Sequence, residues 1–131
     1  MRIIPFAVVA VALVAGCKGS GLFGPDQSVI LGVSKIEAPT TVASASPITA
    51  VFTVTTGGCV SFDHIEVNRD IASAHVIVWG HDAAKGKEVV CTQDIRLETH
   101  SYKFAPPFAS TFTVQAERGR LPPLQATVQV Q

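Results

Sequence analysis

The chain has 131 residues, 47% hydrophobic and 15% charged, with ten basic and ten acidic side chains. Near-neutrality without a run of like charge speaks against a nucleic-acid partner, because phosphate binding needs a basic patch. The length fits one domain and not two.

Arg2 gives a minimal positive start, and Ile3 to Ala15 form an apolar stretch interrupted only by Pro5. A membrane-spanning helix needs about 20 apolar residues, so this stretch is too short to be one and suits a signal peptide. An ordinary secretory cut near Ala15 is one reading of this leader. The run Leu13-Val14-Ala15-Gly16-Cys17, however, resembles the lipobox of bacterial lipoproteins, with an aliphatic residue, two small residues and the thiol that is lipidated. The resemblance implies a diacylglycerol on Cys17, cleavage after Gly16, and a protein held on the bilayer by acyl chains without a transmembrane helix. Residues 1–16 are then the leader, and residues 17–27 the acylated Cys17 with a flexible tether. The location it implies is the cell envelope. Lys18 stands where an Asp would favour inner-membrane retention in Gram-negative lipoproteins, so an outer-membrane position is favoured there.

Within the tether, Gly19, Gly21 and Gly24 match the dinucleotide-binding glycine pattern letter for letter. That pattern works only between a strand and a helix whose N-terminus faces the pyrophosphate. A leader precedes it here and Pro25 comes after it. It is a linker.

From Ser28 onward, short β-branched runs alternate with turn residues, which is a strand signature. Seven strands are expected, over 28–37, 48–56, 61–68, 74–81, 88–99, 110–118 and 124–130. Ile48, Ala50, Phe52 and Val54 should share a buried face. Phe112, Val114 and Ala116 should do the same, as should Leu124, Ala126, Val128 and Val130. Turns are expected at Ala38-Pro39, Thr56 to Gly58, Arg69-Asp70, Asp82 to Gly86 and Leu121 to Pro123. The expected fold of 28–131 is all-β, two packed antiparallel sheets. Its layout resembles an immunoglobulin or fibronectin type III-like β-sandwich, and Pro106 to Val114 is similar to the entry into the penultimate strand of such domains. Phe112 would stand in the place of the motif's tyrosine, without its corner hydrogen bond.

With Cys17 acylated, Cys59 and Cys91 remain, and exported chains normally pair such cysteines. Their positions suggest a clamp near one end of the sandwich, with Cys59 just past the second strand and Cys91 opening the fifth. Neither cysteine stands in a CxxC spacing.

Four histidines, His64, His75, His81 and His100, fall in the middle of the chain. If 61–68 and 74–81 form a hairpin, Glu66 lies across from His75 with His64 one step along. Cross-strand Cβ separations of about 4.5–5.5 Å would then allow a Zn²⁺ or Cu²⁺ site. The plainer reading is a polar outer face opposite a core of Ile65, Val67, Val76 and Val78, with no metal and no cofactor. No serine stands in a nucleophile elbow and both later cysteines are committed, so no enzyme activity is expected.

The aromatic residues are the remaining candidates for binding. Trp79, the only tryptophan, either joins Ile77 and Phe62 in an exposed apolar patch or forms the core tryptophan of the sandwich, and the core placement is preferred. Tyr102, Phe104 and Phe108 either make a second sticky edge or cap one end of the fold. The function expected is a lipid-anchored envelope protein, non-enzymatic, whose partners are the bilayer and another envelope protein or a glycan. Metal handling through His64, Glu66 and His75 is the alternative, and a loop-based protease inhibitor a third reading.

Overall fold

A computed structural model describes residues 27–131. The leader, Cys17 and nearly all of the tether lie outside the described residues. Among the described residues there are nine strands: β1 (Ser28–Ile30), β2 (Val33–Glu37), β3 (Thr41–Val42), β4 (Ile48–Thr56), β5 (Val60–Arg69), β6 (Ser73–Asp82), β7 (Arg96–Phe104), β8 (Thr111–Arg118) and β9 (Leu121–Val130). No helix occurs among the described residues, and so none is long and apolar enough to cross a membrane.

The strands form two sheets in a sandwich-like arrangement. A three-stranded sheet runs β2-β4-β7, and a six-stranded one runs β1-β6-β8-β9-β3 with β5 on the remaining edge of β6. Along that shared strand, β1 pairs with Trp79 to His81, and β8 continues the same edge from Ser73 to Val76. Two pairings, β6 with β8 and β3 with β9, are parallel. The architecture is therefore mixed and nine-stranded, where seven antiparallel strands were expected.

Alternation placed the core correctly on several strands. Ile48, Ala50, Phe52 and Val54 of β4 are fully buried, and they face Val76 and Val78 of β6 and Phe112, Val114 and Ala116 of β8 across the sandwich. Val128 of β9 is buried too, and Ile65, Val67 and Leu124 pack against this core from the flanks.

Four expectations are corrected. The run 28–37 is two strands in different sheets, because Leu31 and Gly32 carry the chain across the sandwich. The Leu31 N–H donates to Val78 O at 2.8 Å in one sheet, and Gly32 O accepts from Thr55 N at 3.3 Å in the other. Gly80 makes room for this crossing, since a Cβ there would collide with the Leu31 side chain and lie 2.7 Å from Ser61 O. Residues 88–95 are irregular, and the strand expected over 88–99 instead spans Arg96–Phe104. Cys91 therefore sits in a loop and opens no strand.

Leu121 to Pro123 lie inside β9, and the chain turns at Gly119, whose φ of 65° suits glycine. Proline cannot donate to a ladder. Pro122 and Pro123 are tolerated because the register shifts here, from Ala116 opposite Leu124 to Arg118 opposite Leu121. Trp79, finally, lies on the outer face of β6 with His75, Ile77 and His81, while Ala74, Val76, Val78 and Gly80 face inward. Core placement of the tryptophan is overturned.

Candidate functional site

The site begins with the hairpin joining β5 to β6. Asp70 caps its turn, with Oδ1 accepting the Ala72 N–H at 2.7 Å and the Ser73 N–H at 2.8 Å. The Ala72 bond, then the Ser73 bond, hold the Asp70 carboxyl below the usual carboxylate range, because they favour its charged form. The turn sets Arg69 opposite Ala74, and so Asn68 opposite His75 and Glu66 opposite Ile77. The expected pairing of Glu66 with His75 is two residues out of register.

A bulge at Asp63 then decides which side chains face out. The register shifts between Phe62 and His64, so His64 stands opposite Trp79 and Phe62 opposite Gly80. An extra residue in one strand re-aims the side chains on either side of it. Phe62 turns inward and stacks on the His100 ring at 3.5 Å between centroids. His64 and Glu66 turn outward.

On this outer face the Trp79 indole N–H donates to Glu66 Oε2 at 2.6 Å. The His64 ring lies 6.4 Å from the indole at an interplanar angle of 23°, and its Nδ1 meets Asp63 Oδ2 at 2.9 Å. Ser28, His64, Glu66 and Trp79 line an open groove of about 420 Å³. The arrangement presents a half-buried aromatic ring with its one polar atom satisfied, flanked by a carboxylate and an imidazole.

His75 meets a different partner, Glu117 Oε2 of β8 at 3.3 Å, and His81 points outward near the entry of the chain. The proposed triad of His64, Glu66 and His75 is not assembled. No group of three His, Cys, Asp or Glu side chains among the described residues is placed to hold a metal ion.

Tyr102, Phe104 and Phe108 make no sticky edge. Phe104 is 1% exposed, Tyr102 tilts against it at 4.8 Å, and Phe108 meets the buried Phe112 edge-on at 4.8 Å. Arg69 closes this end, with Nη1 and Nη2 donating to Ala105 O at 2.6 Å and Pro107 O at 2.8 Å. Its guanidinium also lies 4.9 Å from the Phe108 centroid. Among scattered basic residues Arg69 carried no distinguishing signal in the sequence.

Between the sheets lies a second polar cluster that the sequence reading does not anticipate. The Thr56 hydroxyl donates to Glu98 Oε1 at 2.7 Å, and His100 Nε2 meets Glu98 Oε2 at 3.2 Å. The Thr56 bond, then the His100 bond, keep the Glu98 carboxyl below the ordinary range. Alternation of Glu98, His100, Tyr102 and Phe104 against Thr99, Ser101 and Lys103 was the available signal. The expected strand over 88–99 ends before most of that alternation, which runs through Arg96–Phe104.

Cys59 and Cys91 form a disulfide that ties the β4–β5 turn to the 83–95 loop. Asp94 supports the same junction, accepting from the Thr92 hydroxyl and from the Gly58 N–H at 3.2 Å. Those bonds, the Thr92 one foremost, hold the Asp94 carboxyl below the usual range.

Fold and site together define an all-β, disulfide-bonded, two-sheet protein with an aromatic groove on one outer face. No family model matches the chain, and neither a curated protein nor a solved structure does.

Proposed function

We propose that this chain is a lipid-anchored cell-envelope protein, non-enzymatic, whose immunoglobulin-like sandwich carries a binding face on β5 and β6. The anchor reading is supported by the disposition of the cysteines. Two of the three are bonded to each other, and the third, Cys17, closes the lipobox run. A disulfide suits an exported, oxidising setting. Lys18 favours the outer membrane if the cell is Gram-negative.

The observation that carries the binding reading is the outward Trp79 in its groove beside His64 and Glu66. A large aromatic left at the surface, with polar groups at its rim, is the composition of a recognition site. A flat ring with a carboxylate and an imidazole alongside suits a sugar ring, which offers C–H groups to the face and hydroxyls to the rim. The ligand class that fits is therefore an envelope glycan.

Mass spectrometry of the chain extracted from envelopes should find residues 1–16 absent and acyl mass on Cys17, and Cys17→Ser should leave the precursor uncut. Trp79 is the only tryptophan, so its fluorescence reports on the groove directly. Soluble peptidoglycan fragments should shift that emission saturably, and Glu66→Gln should weaken the response. An emission indifferent to every fragment would remove the glycan from the proposal.

A further inference from the structure

The described chain enters the fold at the end that carries the disulfide and the 83–95 loop. Gln27 O accepts the Asp82 N–H at 2.9 Å, and Lys85 Nζ donates to Ser28 O at 3.0 Å. Around this point the surface is unusually apolar. Val90 is 98% exposed, Ile95 78% and Leu97 68%, and Val89 and Ile30 are exposed beside them. Ile30 and Ile95 line one groove of about 390 Å³, whose wall includes Thr55, and Leu97 pairs with Thr55 across β4 and β7. Single exposed apolar residues are ordinary, but a set gathered at one end marks a surface that something covers.

We infer that this end docks against the lipid bilayer, with Val89, Val90, Ile95 and Leu97 settling into the headgroup–acyl boundary. The inference rests on the anchor reading above. Ten residues, Lys18 to Gln27, separate Cys17 from β1, and a glycine-rich segment of that length spans about 15–20 Å. Acyl chains on Cys17 would therefore keep this end of the sandwich close to the membrane. Lys87 and Arg96 flank the apolar residues, Arg96 paired with Asp94 Oδ2 at 3.1 Å, and their long stems can lie along the boundary with the charges in water. The disulfide fixes the loop's base, so its apolar side chains are presented together. Docking would set the sandwich end-on and leave the Trp79 groove facing sideways along the membrane.

The test uses the full, acylated chain in vesicles of phosphatidylethanolamine and phosphatidylglycerol whose acyl chains carry bromine. A single tryptophan is moved by Val90→Trp, or by Ile71→Trp at the opposite end, each in a Trp79→Phe background. Both positions are exposed, so neither change disturbs the core. Interfacial apolar side chains sit about 5–10 Å into the boundary, so the Val90→Trp chain should lose roughly half its emission and the Ile71→Trp chain none. Vesicle-bound, acylated chains that stay equally bright, or dim equally, overturn the docking while leaving the anchor in place. A chain that does not float with the vesicles and whose Cys17 is bare overturns the anchor, and the docking with it.

Discussion

At the end of the sandwich bearing the 105–110 loop, Phe104, Phe108 and Phe112 meet ring to ring, and the Arg69 guanidinium lies over two of the rings. At the other end, where the chain enters, Val89, Val90, Ile95 and Leu97 stay in water and a covalent bond between Cys59 and Cys91 holds the loop. One end is closed by packing, the other by a cross-link. A loop that contributes little to the core needs another constraint, and the disulfide supplies one without using the loop's apolar side chains. Those side chains are left available for a surface outside the protein.

Given that contrast, substitutions at the two ends should act through different terms. The largest effect belongs to the packed end. Phe112 is fully buried, and Phe112→Ala should cost about 3–5 kcal/mol, read as a lower urea midpoint at unchanged slope. That is a large part of the ~5–15 kcal/mol typical of a domain. At the other end, Cys59→Ala with Cys91→Ala should cost about 3–4 kcal/mol by freeing the unfolded chain, for a separation of 32 residues. Equal loss on simple reduction of the native chain would confirm that the bond, not the cysteine packing, carries this term.

Arg69→Ala should come next at about 1–2 kcal/mol, since it removes the hydrogen bonds to the Ala105 and Pro107 carbonyls and a cation from two ring faces. Arg69→Lys should restore only part of it, because an ammonium cannot span both carbonyls in a fixed fork. A full rescue by lysine would mean that charge alone matters there.

Acid should act on both ends at once. Asp70 at the packed end, and Asp94 and Glu98 at the other, all have pKa values depressed in the fold. A depressed carboxyl contributes stability that is complete above its unfolded pKa and is lost as pH falls through the folded one. The thermal midpoint should therefore hold from neutrality to about pH 5 and fall below about pH 4. Asp70→Asn and Asp94→Asn should each flatten that descent. A midpoint flat to about pH 3 in the native chain would show that these bonds add no net stability to the fold. The smallest effect is expected at Val90, where Val90→Asp should leave the unfolding free energy from urea titration within about 0.5 kcal/mol of the parent. A larger loss would place Val90 in the fold's own packing and erase the difference between the ends.

Much of the sandwich was legible in the sequence. Strand β4 was read residue for residue, because its alternation of Ile48, Ala50, Phe52 and Val54 with Thr49, Val51, Thr53 and Thr55 survives burial of only one face. The errors came where a local pattern was continuous but the chain changed sheets or register. Residues 28–37 read as one strand, and only the contacts of Leu31 and Gly32 divide it. In the candidate site, His64, Glu66 and Trp79 were each singled out, yet their relation was misread. A two-residue shift at the Asp70 turn and one extra residue at Asp63 moved Glu66 from His75 to the indole and Phe62 from the surface to the interior.

By itself the sequence determined an all-β body after residue 27, the inward faces of β4 and β8 and the pair of cysteines that bond, since alternation and composition are local quantities. Only the tertiary structure decided that Trp79 faces outward, that Arg69 seals one end and that the apolar loop residues gather where the chain enters. Those outcomes depend on register, bulges and long-range pairing, which are set by the contacts of all the strands together and leave no mark on any single segment.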